Sequence, residues 1–243
     1  MTAVVNQSRR IPIWLVVSVI LGALVLATPF LVLRSFLYQP FNTPSGSMEP
    51  TLLTGDYFFV SKYPYGYSRY SLPLSLPLFS GRIFGAEPRY GDLVVYRLPS
   101  DTSVDYVKRV VGLPGDRVQM IAGQLYLNGT PVKRERLADV VVRDGHAKKW
   151  RETLPNGASY ETLDLIDNGA LDNTNVYVVP PGHYFMLGDN RDNSQDSRVL
   201  ARHGYVPFEN LIGRAGIIFW SADPNARGAG SGAWFDRIGT RVR

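Results

Sequence analysis

The sequence contains no cysteine among its 243 residues and only three histidines. Without cysteine, the chain cannot form disulfides, thiolate metal sites or a cysteine nucleophile. The histidines, His146, His183 and His203, stand apart from one another, and none shows the spacing of a zinc-binding pair such as HExxH. We therefore expect no histidine-based metal site and no cofactor.

Blocks of like charge are also missing. The formal net charge is +5 and the isoelectric point is about 9.4, but the lysines and arginines are scattered along the chain. A basic protein can bind nucleic acid or a membrane surface, and binding to nucleic acid usually requires a concentrated basic patch. We expect no nucleic-acid partner.

One long apolar run is present at residues 11–33, with the sequence IPIWLVVSVILGALVLATPFLVL. It has about the ~20 residues that a helix needs to cross the hydrocarbon core of a bilayer. A cleaved signal sequence usually has a shorter apolar region, of roughly 7–15 residues, and a core helix would have one polar face. We predict one uncleaved transmembrane helix, which Pro29 kinks or ends.

The flanking charges predict how this helix is oriented. Arg9 and Arg10 precede it without any acidic residue, whereas Arg34 alone follows it. Because basic residues favour the cytoplasmic side, residues 1–10 are predicted to be a cytoplasmic tail. The remainder of the chain after residue 33 is then expected outside the cytoplasm.

The chain that follows is predicted to be mainly β. Short segments rich in Val, Tyr and Phe are bounded by Gly, Pro, Asn and Asp, which is typical of strands. They occupy residues 56–61, 92–97, 106–111, 117–120, 124–127, 177–179, 183–187 and 214–220. Asn128-Gly129 predicts a hairpin turn. Many short strands with closely spaced turns favour a barrel or a sandwich.

Two stretches interrupt this pattern. Residues 63–85 are rich in Tyr, Ser, Leu and Pro and are interpreted as an extended arm or loop. Residues 133–175 are more polar and contain Asn156-Gly157 and Asn168-Gly169, which favours a smaller accessory domain of hairpins.

The C-terminal segment follows a loop at residues 222–232 that is rich in Pro, Gly and Ala. Its aromatic and basic residues are Trp234, Phe235, Arg237, Arg241 and Arg243. This tail either rests on anionic lipid headgroups or packs on the protein, and the sequence leaves both alternatives open.

The first segment with candidate catalytic residues is PSGSMEPTL at residues 44–52, about ten residues after the apolar run. Glycine between Ser45 and Ser47 allows a tight turn and a close approach of backbone to a ligand. A serine placed there is a candidate nucleophile, and an ordinary loop is the alternative, since Pro, Ser and Gly are turn residues.

A serine nucleophile needs a base, and lysine is a known alternative to histidine. Lys108 lies in the predicted strand YVKRVV, where Lys108 and Arg109 point to opposite faces. One of the two must therefore face the apolar side. A buried lysine has a lowered pKa and becomes a usable base near neutral pH. The alternative is that Lys108 extends to solvent from a sheet edge.

The third segment is GDNRDNSQDSR at residues 188–198, which is dense in short polar side chains. Asp and Asn oxygens suit Ca²⁺, but the spacing does not match an EF-hand loop. The alternative is a polar network in which the acids pair with Arg191 and Arg198 of the same segment.

Taken in order after an N-terminal apolar helix, these segments resemble the bacterial type I signal peptidases, also called leader peptidases. The resemblance covers residues 44–52, 91–95, 106–116 and 188–198. It implies a β-barrel catalytic core with an inserted, smaller β-rich accessory domain and one N-terminal transmembrane helix.

The resemblance also implies roles for individual residues. Ser47 would be the nucleophile and Lys108 the general base. The amide of Ser47 and the hydroxyl of Ser45 would form the oxyanion hole. Ser194 would hydrogen-bond and orient the Lys108 amine. Four further residues would brace the site, of which Asp196 and Arg198 pair and Asp189 and Arg191 support them.

The resemblance further implies domain boundaries. They are an anchor at residues 11–33, a catalytic core at 36–115 and 181–225, an accessory domain at 116–180, and a membrane-proximal tail at 226–243.

The expected partners are signal peptides of secreted preproteins and the lipid bilayer, and contact with the protein export machinery is compatible with the resemblance. The expected location is the bacterial inner membrane with the catalytic domain on the periplasmic side.

Two alternatives to signal-peptide removal remain open from the sequence. One is a related Ser–Lys protease dedicated to a single partner. The other is a non-catalytic, membrane-anchored binding domain that uses Lys108 structurally.

Overall fold

The computed structural model describes residues 12–72, 75, 79–142, 145–222 and 235–242. The predicted cytoplasmic tail at residues 1–10 lies outside the described residues, as do Trp234, Arg243 and all but the first residue of the 222–232 loop.

A single helix long and apolar enough to cross a membrane occurs in the described part of the chain. Helix α1 spans Ile13–Val32 and continues as a π-helical turn, Leu33–Leu37. Its mean hydropathy is 2.6 and none of its residues is buried in the protein. The prediction that Pro29 kinks or ends the helix is wrong about the end, because α1 continues for three residues beyond it.

The rest of the described chain is mainly β, as predicted. Its strands are β1 Tyr38–Asn42, β2 Asp56–Ser61, β3 Leu93–Leu98, β4 Asp101–Gly112, β5 Arg117–Ile121, β6 Gln124–Leu127, β7 Thr130–Pro131, β8 Lys133–Arg136, β9 Val140–Val142, β10 Gly145–Thr153, β11 Ser159–Asp164, β12 Tyr177–Val178, β13 His183–Leu187, β14 Val206–Pro207 and β15 Leu211–Ser221. Short 3-10 turns lie at Gly46–Met48, Tyr63–Tyr65, Arg69–Ser71, Phe208–Asn210 and Phe235–Arg237.

All of the predicted strands are found, and the largest difference is in β4. This strand begins five residues earlier than predicted, because its exposed, polar first half pairs with β3 in a hairpin. Polar residues on a solvent-exposed hairpin carry no apolar alternation, so the pattern that reveals buried strands was absent there.

The strands form three antiparallel sheets. The seven-stranded sheet has the order β1-β2-β15-β3-β4-β13-β14. One four-stranded sheet has the order β12-β5-β6-β7, and the other has β11-β10-β8 with β9 paired to β10. The seven-stranded sheet draws on residues 38–112 and 183–221, whereas the two smaller sheets draw on residues 117–178.

Turns in the smaller sheets follow the predicted chemistry. Asn128 and Gly129 connect β6 to β7 with φ values of 53° and 80°. Both residues lie in the left-handed region that a two-residue hairpin turn requires, which confirms the turn. Asn156 and Gly157 lie between β10 and β11, which form a hairpin as expected for the polar insertion.

The described residues of the 63–85 segment form a loop that folds back on the core. Tyr67 and Ile83 form an antiparallel bridge, and Arg82 donates hydrogen bonds to the carbonyls of Tyr65 and Gly66. The side chain of Arg82 therefore satisfies two backbone carbonyls of this segment.

The C-terminal segment packs on the protein along its described residues. Arg237 forms an ion pair with the fully buried carboxylate of Asp56. Arg241 bridges to Ile217 of β15, and Val242 is buried in the core. Residues 235–242 therefore pack on the protein, and a contact of this tail with lipid headgroups stays a prediction.

The core anchors the loop that carries the candidate nucleophile. Met48 and Leu52 are fully buried and pack in one cluster with Phe58, Val95 and Ile218 of the large sheet. Burying side chains of this size stabilises each by about 1.5–3 kcal/mol. The turn between Ser45 and Leu52 is thus held against the sheet from its C-terminal side.

Candidate functional site

The serine loop presents Ser47 from a tight turn. Ser45 is extended, with φ −138°, and Gly46–Met48 forms a single 3-10 turn. The backbone carbonyl of Ser47 accepts a hydrogen bond from the amide of Asn190 at 3.2 Å. A Cβ on Gly46 would lie 3.0 Å from the carboxylate of Glu49, so the turn leaves little room for a side chain there. The loop is therefore fixed both to the core and to the 188–198 segment.

Lys108 meets Ser47 at the centre of the site. It lies on β4, opposite Val94 of β3, and only 1% of its surface is exposed. The distance from Nζ of Lys108 to Oγ of Ser47 is 2.8 Å. The amine also donates to the carbonyl of Val107 at 3.1 Å, and the ring of Tyr106 lies 5.6 Å from it. The alternative in which Lys108 extends to solvent is wrong.

The surroundings favour the uncharged amine. Burial lowers the pKa of Lys108 from 10.5 to about 8, against the opposing effects of Asp196 and Asp189. Transfer of an ammonium group out of water is costly, so desolvation exceeds the attraction of the two carboxylates. A pKa near the working pH is what a general base requires.

Ser45 lies beside the candidate nucleophile. Its Oγ is 3.4 Å from Oγ of Ser47, at the edge of hydrogen-bond distance. The hydroxyl of Ser45 and the amide of Ser47 are the two donors predicted for an oxyanion hole. That role stays a prediction, although the two side chains are in contact.

Asp196 and Arg198 form the predicted pair. Nε of Arg198 lies 2.8 Å from Oδ1 of Asp196, and the amide of Gly188 donates to Oδ2 at 3.0 Å. Burial alone would raise the pKa of Asp196, but the charge and hydrogen bonds of Arg198 and the Gly188 amide outweigh it and lower that pKa. Both side chains are buried, so the pair is a rigid element next to Lys108.

Arg191 does not pair within the segment as the sequence analysis expected. Its guanidinium binds Glu152 of β10 through two hydrogen bonds, of 2.9 and 2.6 Å. Both residues are buried. A bidentate arginine–carboxylate pair is stronger than a single contact, and the folded chain brings a distant acid to Arg191. The 188–198 segment is therefore tied to the β10–β11 hairpin.

Asp189 likewise binds a residue outside its segment. Nε and Nη2 of Arg109 donate to its two carboxylate oxygens at 2.8 and 2.6 Å. The hydroxyl of Thr51 donates to the same carboxylate at 2.5 Å. Sequence alternation required only one of Lys108 and Arg109 to be buried, but both are, because both faces of β4 are covered.

Arg109, Thr51 and Glu152 are thus residues of the site that sequence reasoning missed. An arginine in an apolar strand, such as Arg109, is a signal for a buried acidic partner. The partners themselves lie 80 residues away for Arg109 and 39 residues away for Arg191, a separation that local patterns do not reveal.

Ser194 is buried near Ser47 and Lys108, but it does not orient Lys108 as predicted. Its hydroxyl makes no hydrogen bond to the Lys108 amine within the described structure. A Cβ on Gly188 would lie 2.2 Å from Oγ of Ser194, so Ser194 packs tightly against that glycine. The amine takes the carbonyl of Val107 as its second partner instead.

A cluster of three carboxylates is the part of the 188–198 region with metal-ligand character. Asp164, Asp172 and Asp192 each place one oxygen within 4.8 Å of the others. Oδ2 of Asp192 accepts two backbone amides, Oδ2 of Asp172 accepts the Gly169 amide, and Arg134 pairs with Asp164. These donors account for the approach of the carboxylates, and the cluster is separate from the Ser47–Lys108 pair.

Comparisons with known proteins point in one direction. The model of the family described as "Signal peptidase, peptidase S26" matches residues 13–220. Signal peptidase I of Rickettsia typhi is 48% identical over 200 residues, covering 79% of this chain and 75% of the relative. The enzyme of that name from Rickettsia conorii is 48% identical, with coverages of 79% and 74%. A solved signal peptidase I from Enterococcus faecalis is 26% identical with a TM-score of 0.32, covering 53% of this chain and 97% of its own.

Proposed function

Because the chain belongs to the signal peptidase family, peptidase S26, and is an endopeptidase that removes signal peptides from preproteins, we propose that Ser47 is its nucleophile and Lys108 its general base. The observation that carries this proposal is the 2.8 Å contact between Oγ of Ser47 and a lysine amine that is 1% exposed. A nucleophile, a base and a desolvated setting are what acyl transfer by a serine requires.

Acylation then proceeds in two proton transfers. The neutral amine of Lys108 takes the proton of the Ser47 hydroxyl as Oγ attacks the carbonyl carbon of the scissile peptide bond. The resulting ammonium gives that proton to the amine of the leaving mature protein as the peptide bond breaks. Water hydrolyses the acyl-enzyme by the same pair of transfers, which releases the signal peptide and regenerates Ser47.

The negative charge that develops on the carbonyl oxygen needs donors. The amide of Ser47 and the hydroxyl of Ser45 supply them in this proposal, supported by the 3.4 Å contact between the two hydroxyls. Each such donor typically contributes about 10²–10³-fold to kcat. The substrate enters as an extended chain with small residues just before the cleaved bond, paired with a sheet edge.

The buried ion pairs hold this arrangement. Asp196 pairs with Arg198 within the 188–198 segment, and Asp189 of the same segment pairs with Arg109 of β4. Burial keeps the pKa of the Lys108 amine lowered, because it exceeds the attraction of Asp196 and Asp189, which favour the protonated amine, whereas Arg198 disfavours it.

Topology and domain organisation complete the proposal. The cytoplasmic side is assigned to the N-terminus from Arg9 and Arg10, and the catalytic domain to the periplasmic side of the inner membrane. Residues 36–115 and 181–225 form the catalytic core and residues 116–180 the accessory domain. The short distance in sequence from α1 to Ser47 keeps the site close to the bilayer, where signal peptides and the export machinery are met.

Cleavage of a preprotein by the purified full chain in detergent tests the catalytic assignments. Ser47→Ala and Lys108→Ala are each expected to reduce kcat/KM by at least about 10³-fold, because each removes one half of the proton transfer. Matched controls are the exposed residues Ser100 and Lys133, replaced by alanine, which should cleave at the wild-type rate.

Cleavage at the wild-type rate by Lys108→Ala would reject Lys108 as the base and favour a structural role for it. A panel of unrelated preproteins separates general signal-peptide removal from a protease that serves one partner. Processing of a single member of that panel would contradict a general role.

A further inference from the structure

His203 is a buried histidine that the proposed chemistry does not use. Only 1% of its surface is exposed. It lies in a tight turn in which the amides of Arg202, His203 and Gly204 all point to the carbonyl of Val199. Gly204 has φ 52°, which a glycine adopts without strain and which lets the chain turn immediately after the histidine.

The ring of His203 contacts two tyrosines that lead to the catalytic base. Its Nδ1 lies 3.1 Å from the hydroxyl of Tyr96 on β3. Its ring meets the ring of Tyr106 edge-on, at 4.5 Å between centroids and an angle of 85°. The ring of Tyr106 in turn lies 5.6 Å from Nζ of Lys108. His203, Tyr106 and Lys108 therefore form one continuous row.

A solvent-facing cavity adjoins this row at His203. Its volume is about 460 Å³, and its lining includes His203 together with Pro99, Leu200, Arg202 and Tyr205. A cavity of this size holds many water molecules, since one water occupies about 30 Å³ in the liquid. His203 lines this cavity, and its imidazole packs against the ring of Tyr106, which lies 5.6 Å from Nζ of Lys108.

We propose that His203 is a positioning residue that holds the ring of Tyr106 over Lys108 and keeps the water of this cavity away from the amine. The proposal rests on the function of Lys108 as the general base. Removal of the imidazole opens a path for water, hydration stabilises the ammonium form, and the base becomes protonated at a higher pH.

The groups that face His203 are compatible with an uncharged imidazole that keeps water from Lys108. They are Tyr96 on β3, Tyr106 and Lys108 on β4, Asp196 from the 188–198 segment, and Arg202 from the same turn. Burial and the nearby charge of Lys108 lower the pKa of His203 to about 4, and Asp196 opposes that shift. His203 is therefore uncharged at any pH at which Lys108 titrates.

The test is the pH profile of kcat/KM for the full chain in detergent with a preprotein substrate. In His203→Ala, the acid limb is expected to move to a pH higher by about one unit, with kcat/KM about tenfold lower at pH 7 and unchanged on the alkaline plateau. His203→Phe refills the space with an apolar ring and should restore most of the wild-type limb. His146→Ala, at an exposed histidine of β10, is the matched control and should leave the profile unchanged.

A further variant guards against misfolding of the alanine protein. His203→Gln keeps a polar group for the Tyr96 hydroxyl but replaces the ring with a hydrated amide, and it should shift the acid limb in the same direction as alanine. An unshifted acid limb in the folded variants would overturn the proposal, and so would a lowered plateau without a shift, because that result describes a purely structural histidine.

The two proposals fail in different ways. If Lys108→Ala cleaves at the wild-type rate, Lys108 is not the base and the role of His203 falls with it. If Lys108→Ala is inactive while the His203 variants keep the wild-type acid limb, the catalytic proposal stands and only the inference about His203 is rejected.

Discussion

Replacement of Lys108 by methionine should make the protein more stable at neutral pH, although it removes the proposed general base. Methionine has a similar length and fills the same buried space without a charge. The wild-type lysine is a poor choice for stability, because folding transfers its amine from water to a site where 1% of the residue is exposed. A functional group is retained here at the expense of folding energy.

The size of the effect follows from the pKa of Lys108, which folding lowers from 10.5 to about 8. At about 1.36 kcal/mol per pKa unit, the folded state loses about 3 kcal/mol wherever the amine is protonated in both states. That penalty is complete below pH 8. Between pH 8 and 10.5 the unfolded chain still holds a proton that the folded chain has released, so the penalty declines as the pH rises. It is about 1 kcal/mol at pH 10 and vanishes above 10.5.

Urea unfolding of the full chain in detergent, followed by tryptophan fluorescence at pH 7 and pH 10, measures this difference. The free energy of unfolding of Lys108→Met should exceed that of the wild type by about 3 kcal/mol at pH 7 and by about 1 kcal/mol at pH 10. Lys133→Met, at an exposed lysine of β8, is the control and should change stability by less than about 0.5 kcal/mol at both values.

Lys62 is also buried, and burial lowers its pKa to about 8. Because both lysines affect how the stability of the wild type depends on pH, only the difference between the wild type and Lys108→Met isolates the effect of Lys108. Two results would contradict this prediction: a lower stability of Lys108→Met than of the wild type at pH 7, or a gain in stability that is equal at the two pH values. Either result would mean that the amine of Lys108 is hydrated in the folded protein.

The remaining predictions concern the groups around the dyad. Ser45→Ala should lower kcat by about 10²–10³-fold with little change in KM, measured on a preprotein, and an unchanged kcat would remove Ser45 from the oxyanion hole. Glu152→Gln leaves the guanidinium of Arg191 buried without its carboxylate, which should cost about 3–5 kcal/mol in urea unfolding, and a loss below about 1 kcal/mol would show that the pair is hydrated. Gly188→Ala places a methyl group 2.2 Å from Oγ of Ser194. We expect this variant to have a lower kcat/KM for cleavage while its far-ultraviolet circular dichroism spectrum stays that of the folded wild type. Wild-type activity would contradict the tight packing of Ser194 against Gly188.

Much of the fold could be predicted because its signals are local. The apolar run of α1, the β-branched and aromatic strands, and the Asn128-Gly129 turn all depend on neighbouring residues, and all were found. The exposed half of β4 was missed because a solvated hairpin needs no apolar alternation.

The site could be predicted only in part. The resemblance identified Ser47 and Lys108, and the structure brings them within 2.8 Å. The pairing of Arg191 with Glu152, and of Arg109 with Asp189, could not be read from spacing, because these partners meet only after the sheets have assembled. Patterns of residue type show that a buried charge needs a partner, but not which distant segment supplies it.

The proposed role of Lys108 as the general base depends on the pKa of its amine in the folded protein. NMR of the full chain with isotopically labelled lysine measures this pKa directly, and comparison with Lys108→Met assigns the signal of Lys108. We expect a midpoint of about 8 that coincides with the acid limb of kcat/KM. A midpoint near the ordinary lysine value of about 10.4, or an acid limb that does not follow the titration of this amine, would show that Lys108 is not the general base.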